Sequence, residues 1–94
     1  MSEDKRVQKR KRVLKDGRVL LSGSRVTYDC AIRDVSDTGA RIRLQIDSIM
    51  LPNEFELVFV ADSIAYPAVL KWRRGQEAGV AFNGHPRPVK ARIN

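Results

Sequence analysis

The stretch that decides the fold is residues 25–44, which read RVTYDCAIRDVSDTGARIRL. Apolar and polar residues alternate up to Asp34, and the alternation resumes after a polar turn that ends at Gly39. Because side chains along a strand point alternately to opposite faces, each half is expected to be a half-buried strand. The positions expected to face inward are Val26, Tyr28, Cys30, Ile32, Ala40, Ile42 and Leu44. The stretch therefore predicts an antiparallel hairpin.

Similar short apolar runs lie on both sides of this hairpin. They cover residues 13–21, 55–60, 66–72 and 78–82, and turn-forming residues separate them. About six short strands with no helix beyond a turn or two predict an antiparallel β-barrel or sandwich. The proline-rich end of the chain is too short for a long helix, so little or no C-terminal helix is expected.

Local chemistry predicts where the strands are irregular. Gly17 interrupts the first apolar run and predicts a bulge. Pro67 lacks an amide donor, which favours an edge strand or a bulge. Trp72 continues the alternation of its own strand and is therefore expected in the core, with a place on the wall of a ligand site as the alternative. Residues 45–53 break the alternation and are expected to form a helical turn or a loop.

The positive charge of the chain is concentrated at its N-terminus. The 94 residues carry a net charge of +7, and residues 1–18 contribute +5 of it. We expect residues 1–12 to form a flexible basic arm and residues 13–94 to form a single domain. Such an arm implies an anionic partner, which could be a nucleotide, a nucleic acid or an acidic lipid.

Composition argues against several kinds of site. Cys30 is the only cysteine, so an internal disulfide and a multi-cysteine zinc site are excluded, and its apolar face predicts a buried structural thiol. His85 has no second histidine with which to bind a metal. No apolar run approaches the roughly 20 residues of a membrane helix, and no secretory signal is apparent. We expect a cytoplasmic protein that is not an enzyme and has no metal or other cofactor.

Two short signals have the chemistry to bind a guanine nucleotide. Residues 5–10 read KRVQKR, which places Arg6 and Arg10 four residues apart. An arginine fork can donate to both Hoogsteen acceptors of guanine, and its charge can pair with a phosphate. The arm is therefore suited to reading guanine and neutralising phosphate.

The turn at residues 34–39, DVSDTG, has complementary chemistry. Asp34 and Ser36 are two residues apart, so in an extended segment both side chains point to one surface. A carboxylate can accept from guanine N1–H and N2–H, which an arginine cannot do. Gly39 permits close backbone approach. The same residue types are common in plain hairpin turns, so the turn alone leaves both interpretations open.

The spacing RxxxR followed by DxSxxG, near the start of a small β-rich chain, resembles the PilZ domains, which are bacterial receptors for cyclic di-GMP. Residues 70–74, LKWRR, and residues 79–82, GVAF, are similar to the closing hairpin of that family. The resemblance implies a six-stranded antiparallel Greek-key β-barrel. It also implies that the flexible basic arm folds over one end of the barrel.

The resemblance further implies a ligand and a site. Cyclic di-GMP would order the arm over the barrel, and the protein, as a monomer or a ligand-linked dimer, would signal to a protein partner. Arg6 and Arg10 would grip guanine and phosphate. The opposing wall would be formed by Asp34, Ser36 and Gly39, and secondary ligand contacts would come from Lys5, Lys9 and Arg12.

Other functions remain open at this point. The chain could be a PilZ-like interaction module without nucleotide binding, or a basic protein that binds nucleic acid without sequence preference. Its few aromatic residues fall mostly on inward faces, which argues against nucleic acid. Residues 37–39 form the Asp-Thr-Gly triplet of dimeric aspartic proteases, but its polar surroundings and the lack of a glycine-rich flap argue against an enzyme.

Overall fold

A computed structural model describes residues 11–21 and 26–89 of the chain. The strands are β1 (Lys11–Leu20), β2 (Thr27–Val35), β3 (Gly39–Leu44), β4 (Glu54–Phe59), β5 (Ile64–Arg74), β6 (Glu77–Phe82) and β7 (Arg87–Pro88). A short 3-10 helix at Ser48–Met50 lies within the stretch predicted to be a helical turn or loop. No helix in these two segments is long and apolar enough to cross a membrane.

Six of the strands close into an antiparallel barrel. Their order is β4-β1-β2-β3-β6-β5, and β5 pairs again with β4 to complete the circle. β4 returns to lie beside β1, outside the β1–β2–β3 meander, which is the Greek-key arrangement. The two-residue β7 adds to the start of β5. The prediction of a six-stranded Greek-key barrel is confirmed.

Alternate side chains of the strands fill the interior. Among the most deeply buried are Val19, Ile32, Ile42, Leu44 and Leu57. An aromatic cluster closes one part of the core, where the stacked rings of Tyr66 and Phe82 have centroids 4.4 Å apart. Cys30 is buried as predicted, and burial, with a smaller contribution from the charge of Asp29, raises the pKa of its thiol to about 12.

Two local predictions, one for Val26 and one for Gly17, are wrong. Val26 is 47% exposed rather than inward, because it precedes β2, which begins at Thr27. Gly17 does not form a bulge, since it pairs in register with Cys30. A Cβ at Gly17 would lie 2.7 Å from Ile32 Cδ1, so the glycine makes room for a core side chain.

The prediction of an edge strand or bulge at Pro67 is also wrong. β5 has β4 on one side and β6 on the other, and Pro67 pairs in register with Glu56 of β4. The Pro67 carbonyl accepts from Asn83 N–H at 2.7 Å, just beyond the end of β6. The amide nitrogen and the carbonyl of a strand residue point to the same side of the strand. The Pro67 nitrogen, which has no hydrogen to donate, therefore faces the end of β6, and no hydrogen bond to β4 is lost.

Register slips interrupt three of the strand pairs, β1–β2, β2–β3 and β5–β6. The pairing shifts between Arg12 and Lys15 in β1, between Ile32 and Asp34 in β2, and between Leu70 and Trp72 in β5. An extra residue in one strand of a pair reverses the face to which the following side chains point. Beyond each slip, the alternation of apolar and polar residues therefore no longer predicts the face to which a side chain points.

An ion pair ties the C-terminal end of the described chain to the barrel. Glu56 accepts from Arg87 Nε at 2.8 Å and from Nη2 at 2.7 Å. These hydrogen bonds, opposed in part by desolvation, lower the pKa of Glu56 and raise that of Arg87. Arg87 is the first residue of the short β7 and Glu56 is part of β4, so the pair holds β7 against the body of the barrel.

Glu56→Gln is expected to lower the urea midpoint slightly at neutral pH. The folded-state pKa of Glu56 is depressed, so its stabilising contribution is present above the unfolded-state pKa and is lost as the pH falls through the folded-state pKa. The midpoints of the variant and the wild type should therefore converge in acid. Glu54→Gln is the control, since Glu54 is exposed at the start of the same strand. A pH-independent difference for Glu56→Gln would contradict this account.

Candidate ligand-binding site

The turn that follows β2 is shaped by its own hydrogen bonds. Ser36 N–H donates to the carbonyl of Gly39 at 2.9 Å, which closes the turn. Thr38 N–H donates to Ser36 Oγ at 3.2 Å, and the two hydroxyl oxygens lie 3.4 Å apart. Such serine-to-backbone bonds stabilise compact turns. Ser36 is therefore held in a defined place directly after the end of β2.

Gly39 is required by the close approach of β6. The Thr38 carbonyl accepts from Phe82 N–H at 2.8 Å, which draws the two backbones together. A Cβ at Gly39 would overlap the backbone carbonyl oxygen of Val80. A side chain at this position would therefore have to move backbone, which is costlier than moving a flexible side chain.

Asp34 is held in a charged network on the barrel wall. It is only 8% exposed, and its Oδ2 accepts from Arg41 Nε at 2.6 Å. Arg41 Nη1 in turn lies 3.2 Å from one carboxylate oxygen of Glu77 and 3.3 Å from the other. The hydrogen bond to Asp34 is the main cause that raises the pKa of Arg41, with Glu77 adding to it. The network fixes the Asp34 side chain.

Trp72 lies on the outer wall, and the prediction that it belongs to the core is wrong. The register slip between Leu70 and Trp72 leaves Lys71 as the extra residue, which turns the indole outward. Trp72 is 43% exposed. Its ring covers Gly79 so closely that a Cβ on this glycine would overlap the indole nitrogen.

The register slips align these groups in one row across the barrel. Arg12 pairs with Asp34, Asp34 with Arg41, Arg41 with Gly79, and Gly79 with Trp72. The row runs across five strands, from β1 to β5 by way of β2, β3 and β6. Residues far apart in sequence are thereby neighbours on one wall.

An open cavity of about 260 Å³ lies along this row. Three residues of the sequence motif line it, Asp34, Ser36 and Gly39, and Lys71 and Trp72 line it from β5. The cavity thus combines a carboxylate acceptor, a hydroxyl, an ammonium group and an aromatic face. These are groups that can bind a purine base and an adjoining phosphate.

Most of the basic residues predicted to complete the site lie outside the part of the chain that the structure describes. Arg6, Arg10, Lys5 and Lys9 all lie outside the described residues. The backbone of Arg12 is part of β1 and pairs with Asp34, while its side chain is not described. β1 begins at Lys11, so the described chain enters the sheet beside Asp34.

Two charged residues of the cavity had no predicted role, and one aromatic residue was predicted on the wrong face. These two residues are Lys71 and Arg41, which both line the cavity. Trp72 was assigned to the core. A strand residue next to a bulge carries no local signal of its direction, so only the pairing of β5 with β6 reveals it.

A second cavity, of about 530 Å³, lies toward the opposite end of β3 and is lined by Arg43 and Leu44. Arg18 on its wall lies 3.5 Å from Asp29, so acidic and basic groups compensate each other there. None of the motif residues lines it. The smaller cavity is therefore the candidate site. No group of three His, Cys, Asp or Glu side chains suited to a metal ion occurs within residues 11–21 and 26–89.

A model of the PilZ domain family matches residues 4–94, which is almost the whole chain. The chain therefore belongs to the PilZ domain family. PilZ domains are a known family of cyclic di-GMP-binding modules, and they act by binding rather than by catalysis. A search of curated proteins found no match.

Proposed function

We propose that this protein is a cytoplasmic cyclic di-GMP receptor without enzymatic activity. The observation that supports it most is the cavity in which Asp34, Ser36 and Gly39 meet Lys71 and Trp72, in a chain of the PilZ family. The motif is thus part of a concave, chemically mixed surface rather than an isolated turn.

Five of the cavity residues have a role in this proposal. Asp34 accepts from guanine N1–H and N2–H, and the Ser36 hydroxyl provides a further polar contact. Trp72 offers its exposed ring face for stacking, which is worth about 1–3 kcal/mol per base. Lys71 neutralises a phosphate. Gly39 has no side chain, so the ligand can approach the backbone closely at this position.

The basic arm supplies the other half of the proposed site. Arg6 and Arg10 grip guanine and phosphate, and secondary ligand contacts come from Lys5, Lys9 and Arg12. In this proposal the arm is residues 1–12 and the binding domain is residues 13–94, and the last two arm residues, Lys11 and Arg12, join the sheet as the start of β1. Ordering the arm costs about 1–2 kcal/mol per residue. The charged contacts and stacking exceed this cost by a margin that corresponds to an affinity in the micromolar range. Salt weakens it by screening.

Ligand binding would change the surface that the protein offers to others. The ordered arm replaces a mobile positive segment by a rigid, charge-neutralised surface beside the barrel. Cyclic di-GMP binds the state with the ordered arm more tightly, so it raises the population of that state. A protein partner that recognises only the ordered surface then receives the signal. The receptor acts as a monomer or as a ligand-linked dimer.

Trp72 is the only tryptophan, so its fluorescence reports directly on the proposed site. We expect a saturable change in emission as cyclic di-GMP is added, because a guanine stacks on the indole. GTP at the same concentrations serves as the control and should cause little change. Calorimetric binding with unchanged emission would remove Trp72 from the site. No response by either method would contradict the receptor function.

A further inference from the structure

Arg41 occupies the centre of the cross-strand row, between Asp34 on β2 and Gly79 on β6. Its Nε donates to Asp34 Oδ2 at 2.6 Å, the distance of a strong charge-assisted bond. The side chains of both residues are well shielded, with 29% of Arg41 and 11% of Asp34 exposed. This shielding limits competition from water for the bond between them.

The other end of the Arg41 guanidinium is held as well. Its Nη1 bonds both oxygens of Glu77, at 3.2 and 3.3 Å. A guanidinium is planar and always charged, so fixing it at two edges fixes the plane in which Nε–H points. Glu77 therefore determines the direction of Arg41, and Arg41 determines the orientation of the Asp34 carboxylate.

We propose that Arg41 is a positioning residue that makes the site selective for guanine by holding the carboxylate of Asp34. This inference rests on the proposed function. Guanine presents two donors, N1–H and N2–H, whereas the same edge of adenine has an acceptor at N1 and no amino group at C2. A fixed carboxylate strongly disfavours adenine, because it would face the N1 acceptor of the base instead of the donors that guanine presents. A carboxylate that can rotate away discriminates less.

The test compares cyclic di-GMP with cyclic di-AMP, using calorimetry on the full chain. Arg41→Lys keeps the positive charge but cannot bond Asp34 and Glu77 in one plane. We expect it to bind cyclic di-GMP at least tenfold more weakly and to lose most of the preference over cyclic di-AMP. Glu77→Gln should shift the preference in the same direction by a smaller factor. Urea denaturation verifies that each variant is folded.

Arg43→Gln is the matched control. Arg43 lies two residues further along β3, is exposed, and also approaches Glu77, at 3.6 Å, but it does not line the cavity. It should keep the wild-type preference. Unchanged selectivity in Arg41→Lys, or an equal loss for both dinucleotides, would overturn the role of Arg41 alone. A wild-type protein that does not bind cyclic di-GMP would instead overturn the proposed function, and this inference with it.

Discussion

Arg10→Ala is expected to weaken cyclic di-GMP binding at least tenfold. The proposed contact is a charged hydrogen bond from the arm, and such bonds contribute about 1.5–3 kcal/mol, while a tenfold change in affinity corresponds to about 1.4 kcal/mol. Isothermal titration of the variant and the wild type at one salt concentration measures the difference. The urea midpoint should stay unchanged, because the arm lies outside the proposed binding domain.

Arg74→Ala is the control for Arg10→Ala. It removes the same charge from an exposed position at the end of β5, and Arg74 does not line the cavity. It should bind nearly as tightly as the wild type. Equal weakening in both variants would show that only net charge matters, and wild-type affinity in Arg10→Ala would remove Arg10 from the site.

Gly39→Ala is expected to lower the free energy of unfolding by about 1–3 kcal/mol. Its Cβ would overlap the carbonyl oxygen of Val80, so the β3 and β6 backbones would have to separate. Urea denaturation measures the loss. Cyclic di-GMP affinity should fall as well, because the same movement distorts the cavity wall.

Gly79→Ala provides the matched comparison, since it is also a glycine beside the cavity. There the added Cβ meets the indole of Trp72, a half-exposed side chain that can swing into solvent. The loss of stability should be smaller than for Gly39→Ala, while binding weakens because the indole has moved. A larger loss of stability in Gly79→Ala than in Gly39→Ala would contradict this ranking.

Much of the barrel could be predicted from local patterns. The hairpin of β2 and β3 follows from alternation because one face of each strand is buried, as Ile32, Ile42 and Leu44 show. The order in which the strands close was available only from the resemblance to PilZ domains. Local alternation does not specify which strand lies beside which, and so it left both a barrel and a sandwich open.

The errors at Trp72 and Pro67 both depend on how β5 pairs with its neighbouring strand β6. Bulges arise from the pairing of two strands, so a single-residue slip is not visible in the sequence of either strand alone. Trp72 was therefore assigned to the wrong face. Glu77, which bonds Arg41 from the neighbouring strand β6, is 36 residues further along the chain, and no spacing rule predicts such a contact. Pro67 was misjudged because its missing donor faces the end of β6.

The candidate site was only partly accessible to sequence reasoning. The spacing of Asp34, Ser36 and Gly39 is local, so a motif could identify them. Lys71 and Trp72 come from a strand that reaches the cavity only when the barrel closes. The chemistry of an aromatic face and a second positive charge beside the motif could therefore not be derived from the motif itself.

Isothermal titration of the full chain with cyclic di-GMP, at physiological salt and with GTP as competitor, tests the central claim most directly. We predict saturable binding in the micromolar range, a defined number of ligands per chain, weakening by added salt and no displacement by equimolar GTP. An absence of binding heat with ligand at tens of micromolar, repeated at a second temperature, would contradict the receptor function. The protein would then be a PilZ-family barrel without this ligand.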